Sequence, residues 1–225
     1  MVTAVFPAAG MGKRMKAGKN KVFLEIGGEP ILFHTLRKFS SVGRITELII
    51  AVAPAEVDMV REMLKNVAGL KPYKVVAGGS ERQYSIANAL AEVSAMSEIV
   101  LVHDAARPLV SAKTIDAVID GAKEFGGAIA AVPAKNTIKV ADNDIFVEST
   151  PDRSTLWEVQ TPQGFRRDIL LAAYEQAAKD NFLGTDDSSL VERYGQKVKL
   201  ITSDYRNIKI TTPEDLTLAE ALLRE

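Results

Sequence analysis

Cysteine is absent from the 225 residues, and histidine occurs only twice, at His34 and His103. The first absence excludes disulfides, thiolate nucleophiles and Cys-ligated metal sites, and two imidazoles alone disfavour a zinc site. Neither sign of charge is in excess, since 28 Lys and Arg stand against 29 Asp and Glu for a formal net charge of −1. General polyanion binding draws on many clustered cations and is not expected here. Long hydrophobic runs are missing too. Met1 to Ala9 is apolar but too short to cross a bilayer, and it lacks the leading basic residues of a signal peptide. No membrane partner and a cytoplasmic location are the expectations. No tract is Pro-rich, Gln-rich or repetitive at a fixed period.

What is present is the 47% hydrophobic, 25% charged composition of a globular chain. Short β-branched runs alternate with longer amphipathic ones: Val2 to Phe6 then Ile31 to Phe39, Leu48 to Val52 then Val57 to Val67, Lys74 to Ala77 then Glu81 to Glu92. Ile99 to His103, Thr114 to Phe125 and Ala128 to Val132 continue the rhythm. Repeated βα units predict a largely parallel sheet, and near-continuous apolar strands predict helices on both of its faces. Ser80 with Gln83, and Thr212 with Asp215, read as capping boxes, with Pro213 at a favoured first helical position. One segment breaks the rhythm. Thr137 to Val140 and Ile145 to Glu148 flank the polar stretch Ala141 to Asp144, which predicts a hairpin with too few apolar residues for a core of its own. A projecting arm that packs on another subunit is expected.

The end of the first strand carries Pro7-Ala8-Ala9-Gly10-Met11-Gly12-Lys13-Arg14, a βα loop of the kind that binds ligands in open α/β sheets. Its glycines let backbone amides approach phosphate, and its alanines leave room for a base or ribose. It is neither a dinucleotide fingerprint, which would need a Gly at Met15, nor a Walker loop, because Gly12 and Gly18 are one position too far apart and Asn20 follows Lys19. Lys13, Arg14, Lys16, Lys19 and Lys21 precede any acidic residue, a local positive charge suited to a triphosphate or a solvated basic loop. A second strand end, His103-Asp104-Ala105-Ala106-Arg107-Pro108, puts a carboxylate and a guanidinium on the same sheet edge. Asp104 there can hold magnesium, which takes one or two protein carboxylates, or can cap the turn and pair with Arg107. His103 and His34 are read as structural.

These segments, with Gly78 to Arg82, Gln160 to Gln163, Thr185 to Asp187 and Asn207 to Lys209, resemble the 2-C-methyl-D-erythritol 4-phosphate cytidylyltransferase family over nearly the whole chain. The resemblance implies a Rossmann-like α/β nucleotidyltransferase fold in a single domain over residues 1–225, with a dimerisation arm at 136–153. It also implies CTP and a sugar-alcohol phosphate as substrates, Mg2+ as cofactor and a homodimer acting in non-mevalonate isoprenoid biosynthesis. Carried over by position, Arg14, Lys21, Asp104, Arg153 and Lys209 are the catalytic set, with Asp104 the metal ligand. Pro7, Ala8, Ala9, Gly10, Gly12, Arg14, Lys21, Gly79, Ser80, Ser85, Asp104 and Ala105 match CTP contacts. Asp104, Arg107, Thr137, Arg153, Thr161, Thr185 and Lys209 match the acceptor site. Thr161 otherwise reads only as the start of a turn before Pro162. Many members have Pro before the catalytic Lys where this chain has Asn20, and loss of a fixed φ there would loosen the loop. The alternatives are a ribitol-5-phosphate cytidylyltransferase and a nucleotide-binding module without catalysis; retention of Arg14, Lys21, Asp104 and Lys209 together disfavours the module.

Overall fold

The structure, a computed structural model, describes residues 1–10 and 20–224. Gly12 and Arg14 lie outside the described residues. Strand β1 (Val2–Pro7) leads through a 3-10 turn (Lys21–Phe23) and the short pair β2 (Glu25–Ile26) and β3 (Glu29–Pro30) to helix α1 (Ile31–Ser40). Then come β4 (Glu47–Val52), α2 (Val57–Lys65), β5 (Tyr73–Ala77), α3 (Arg82–Leu90), β6 (Ile99–Val102), α4 (Ala112–Phe125) and β7 (Gly127–Pro133). After the arm strands β8 (Val140–Ala141) and β9 (Val147–Ser149), the chain forms β10 (Trp157–Arg166), α5 (Arg167–Lys179), α6 (Asp187–Arg193), β11 (Lys199–Thr202) and α7 (Pro213–Leu223). Among the described residues, no helix is long and apolar enough to cross a membrane.

Seven strands form one sheet in the order β11-β7-β10-β6-β1-β4-β5. The pairings of β1 with β4 and β6, of β4 with β5 and of β11 with β7 are parallel; β10 alone runs against its neighbours β6 and β7. Alternation within each strand sends apolar residues to both faces, as strands covered on two sides require. On one face Ala4, Phe6, Leu48, Ile50 and Leu101 pack with Leu36 and Phe39 of α1, Leu64 of α2 and Ile119 of α4. On the other, Val5, Ile49, Val100, Val102 and Phe165 pack with Ile86 of α3, Leu170 of α5 and Val191 of α6. A smaller cluster seats Ala219 of α7 on Ile26, Ile31 and Ile210. The carboxyl ends of β1 and β6 lie side by side at the sheet's centre, where the connections diverge and a crevice opens.

The capping box at Thr212 and Asp215 forms, with Pro213 in the first turn. The one expected at Ser80 and Gln83 does not. The N-cap of α3 is Glu81, with no side-chain cap bond, because Gln83 spends its amide on Phe182 O at 3.0 Å and Gly184 N at 2.9 Å. The hairpin forms, but with shorter and later strands than the alternation predicts, and Thr137–Lys139 lie outside them. Asp142 sets the turn: its carboxylate accepts the N–H groups of Asp144 and Phe146, and its carbonyl accepts that of Ile145. Ile145 therefore sits in the turn at φ 67° rather than in the returning strand. All of residues 135–150 are exposed, including Ile145 at 87%, Phe146 at 72% and Val147 at 62%.

Candidate active site

Two backbone turns meet at the crevice. Gly78 approaches Ala9 so closely that a Cβ would lie 2.7 Å from the Ala9 methyl, and one on Gly79 would lie 2.5 Å from Tyr84 Cβ. Only glycine lets these turns close on each other. Ser85 sits beneath them, nearly buried, accepting the Gly79 N–H at 3.0 Å and donating to Glu81 O at 3.0 Å. Its hydroxyl shapes the wall of the cavity.

Asn20 precedes the 3-10 turn at Lys21–Phe23, and it is 6% exposed. Its Nδ2 donates to Ala8 O at 2.6 Å and to Glu56 Oε2 at 3.1 Å, while its Oδ1 accepts the Val22 N–H at 3.4 Å. The residue rests at φ −60°, ψ 127°, within the range a proline ring would impose. Side-chain bonds thus accompany, at this residue, the backbone angle that a ring would have set. The adjoining Lys21 donates from Nζ to Ile210 O at 2.8 Å, which joins the first loop to the segment carrying Lys209.

Asp104 is the electrostatic centre. Its carboxylate is 9% exposed and meets Lys209 Nζ at 2.9 Å, Arg107 Nε at 3.3 Å and Arg82 Nε at 3.4 Å. Burial raises its pKa, but Lys209, Arg82 and Arg107 outweigh this and hold the carboxyl well below the usual range. Arg82 also meets the buried Asp187 at 2.7 Å. Arg82, Arg107 and Lys209 thus carry one charge more than the two carboxylates they meet, Asp104 and Asp187. Burial pushes the Arg107 pKa down, opposed by Asp104. That of Arg82 rises, because Asp187 and Asp104 together overcome its burial.

The backbone beneath Asp104 is fixed by a directed chain of protons. His103 is fully buried beside Phe39, and burial lowers its pKa to about 3, so the ring is neutral. Its Nε2 faces Arg107 O at 3.0 Å, an acceptor only, so Nε2 carries the proton and Nδ1 accepts. Thr161 therefore donates its hydroxyl hydrogen to Nδ1, and its oxygen accepts the Asp104 N–H, both at 3.0 Å. Thr161 lies within β10, where the register shifts between Val159 and Gln163, and not at the start of a turn. Asn207 braces the same bulge by donating to Gln160 Oε1 and Thr161 O, each at 2.8 Å, while its carbonyl accepts from Arg107 Nη1 at 2.7 Å.

These residues separate two cavities. Pro7, Ala8, Ala9, Gly10, Lys21, Gly79, Ser80, Ser85, Asp104 and Ala105 line the first, so every expected CTP contact among the described residues meets there. Asp104, Arg107, Thr161, Thr185 and Lys209 line the second. Thr137 and Arg153 line neither; they lie at the base of the arm, where Arg153 Nη1 donates to Lys135 O at 2.8 Å. Arg82, Asp104 and Lys209 belong to both cavities and form their common wall. Sequence reasoning assigned no role to Arg82 or to Tyr174, Asp187 and Asn207 behind the wall. An arginine opening a helix carries no local sign of the carboxylate it will meet 105 positions later.

Metal binding would rest on one carboxylate. Among the described residues, no group of three His, Asp or Glu side chains could hold an ion. A single aspartate fits magnesium bound mostly by phosphate oxygens and water, the habit of that ion.

A family model described as IspD, 2-C-methyl-D-erythritol 4-phosphate cytidylyltransferase, matches residues 2–225. The enzyme of that name from Caldanaerobacter subterraneus subsp. tengcongensis is 48% identical over 225 residues, covering 100% of this chain and 99% of its own. That from Geobacillus kaustophilus is 50% identical over 220 residues, covering 98% and 96%. The crystal structure of 4-diphosphocytidyl-2C-methyl-D-erythritol synthase from Anaerococcus prevotii superposes with a TM-score of 0.89 at 33% identity, covering 100% of this chain and 99% of that one. The Thermus thermophilus cytidylyltransferase gives 0.82, also at 33% identity, covering 99% and 98%. Likeness in sequence and in fold runs the full length of the chain, which belongs to the 2-C-methyl-D-erythritol 4-phosphate cytidylyltransferase family.

Proposed function

We propose that the protein transfers the cytidylyl group of CTP to 2-C-methyl-D-erythritol 4-phosphate, releasing pyrophosphate and forming 4-diphosphocytidyl-2-C-methyl-D-erythritol for isoprenoid biosynthesis. The observation that carries this reading is the pair of cavities with a common cationic wall of Arg82, Asp104 and Lys209. Two substrates lodged in adjacent cavities would meet at that wall. The first cavity, with its small residues and glycine turns, takes the cytidine and directs the triphosphate toward Lys21. The second takes the acceptor, with Arg107, Thr185 and Lys209 around it and Thr161 acting through Asp104.

In the reaction, a phosphate oxygen of the acceptor attacks the α-phosphorus of CTP in line. The new P–O bond forms as the bond to pyrophosphate breaks. A phosphate monoester is largely dianionic at neutral pH, so no general base has to create the nucleophile; the neutral, buried His103 accords with that. The obstacle is repulsion between anions and the charge gathering on the leaving group, which fixed cations relieve. Asp104 would hold magnesium, whose charge neutralises phosphate oxygens when it is bound. Arg153 and Thr137 would reach the acceptor phosphate of a second subunit by way of the arm, and Arg suits this because its planar fork can bind two phosphate oxygens.

The deciding experiment measures pyrophosphate release with methylerythritol phosphate and ribitol 5-phosphate as competing acceptors and CTP, UTP, ATP and GTP as donors. Release confined to CTP with methylerythritol phosphate is expected. Equal turnover of ribitol 5-phosphate, or no release with either acceptor, overturns the proposal. Lys21→Ala should lower kcat by roughly 100-fold, the scale for removing a donor that acts on transition-state charge.

A further inference from the structure

Behind the wall lies a buried polar pair that touches neither cavity. Asp187, the first residue of α6, has no solvent exposure, and Tyr174 on α5 is 7% exposed. The Tyr174 hydroxyl donates to Asp187 Oδ1 at 2.6 Å, and Arg82 Nη2 donates to Asp187 Oδ2 at 2.7 Å. Both carboxylate oxygens are thereby engaged, and the guanidinium is held from behind. Burial, and then Asp187, push the Tyr174 pKa well up, so the phenol keeps its proton and remains a donor.

A buried ion pair is a weak source of stability, because desolvation offsets most of the attraction and apolar residues of the same shape often serve as well. The consequence of this one lies at its other end. Arg82 lines both cavities. Of the five N–H donors on a guanidinium, Arg82 gives Nε to Asp104 and one from Nη2 to Asp187. The others meet no group among the described residues. A cation fixed before the reaction stabilises developing phosphate charge without reorganising, which is where such transfers gain most.

We infer that Arg82 is a further cation of the transfer, presenting its remaining donors to phosphate at the seam of the two cavities, and that Asp187 and Tyr174 are positioning residues that hold its fork. The inference rests on the cytidylyl-transfer reading. Arg82→Ala would strand Asp187 as an uncompensated buried charge, so the useful variants are Arg82→Lys and Tyr174→Phe. Lysine keeps the charge but offers one nitrogen where two carboxylates are spanned. Phenylalanine keeps the ring and removes only the hydroxyl.

Steady-state kinetics far below the melting temperature, with CTP affinity and melting temperature measured in parallel, test this. Arg82→Lys should lower kcat by about 10-fold or more, with KM for CTP changed less than about 3-fold, the pattern of a group acting on the transition state. Tyr174→Phe should lower the same parameter by about 3-fold. The double variant should be no slower than Arg82→Lys alone, because the hydroxyl acts through the guanidinium. Should Arg82→Lys fail to fold, the kcat of Tyr174→Phe carries the test. Variants that melt earlier yet keep wild-type kcat, or losses that add independently, overturn the inference. A wild-type protein that releases no pyrophosphate overturns the transfer reading itself, and this one with it.

Discussion

His103 has a buried imidazole that couples stability to pH. Burial holds its folded pKa at about 3, against an ordinary value of 6.5. Between those values the unfolded chain binds a proton that the folded chain refuses, so stability falls as pH drops through that window, by at most about 1.4 kcal/mol per pH unit. Asp104 acts lower down. Its pKa is depressed by Lys209, Arg82 and Arg107 against the opposing effect of burial, so it adds stability above the carboxylate range and loses it on further acidification. Urea midpoints measured from pH 7 to pH 4 should fall steadily for the wild type and less steeply for His103→Asn; equal slopes would assign the proton elsewhere. Asn20 is the second informative residue. Asn20→Ala removes the bonds to Ala8 and Glu56, and kcat/KM for CTP is expected to drop about 10-fold, the cost of one to two net hydrogen bonds. Asn20→Pro restores φ without those bonds and should recover part of the loss. Unchanged kinetics in Asn20→Ala would confine the side chain to stabilising the turn.

At the scale of the element, β10 and the hairpin depart from the parallel plan. β10 enters between β6 and β7 in the opposite sense, and its irregular register delivers Thr161 beneath Asp104. The hairpin has no core of its own, and its largest apolar residues are in solvent. Such a patch marks an interaction surface, and a two-stranded hairpin is at best marginal alone. If it packs on a second subunit, Phe146→Asp should convert a dimer to a monomer by sedimentation, with the melting temperature of the monomer fold little changed. A sedimentation coefficient identical to wild type would remove Phe146 from any subunit contact.

For the whole molecule, the question is whether each active site draws on two chains. Thr137 and Arg153 line neither cavity of their own subunit, which is the arrangement a shared site would need. If the protein is the homodimer that the family resemblance implies, its Arg153→Ala and Lys21→Ala forms should each be nearly inactive. After mixing and subunit exchange, half of the closed dimers are heterodimers, each with one intact site, so activity should return to roughly one quarter of wild type. Exchange shown by mass spectrometry without recovered activity would place Arg153 in its own subunit's chemistry.

The βα alternation and the two-sided burial of the sheet were legible in the sequence, because each depends on residues within a few positions of one another. Periodicity reports which faces are buried, and Gly or Pro reports where the backbone must turn. The expected CTP contacts that the structure describes come together in one cavity for the same reason, since β1, β5 and β6 all end at one edge of a parallel sheet. Tertiary structure decided the rest. Lys21 meets Ile210 across 189 positions, Arg82 meets Asp187 across 105, and Thr161 meets the Asp104 amide across 57. No local pattern records such pairs. Gln83 shows the same limit in reverse: its spacing from Ser80 fits a capping box, but the carbonyl of Phe182 and the amide of Gly184 claim it once α3 is packed. A side chain's partner is settled by what the fold brings within hydrogen-bond distance, and a buried polar group left unpaired costs more than a local cap returns.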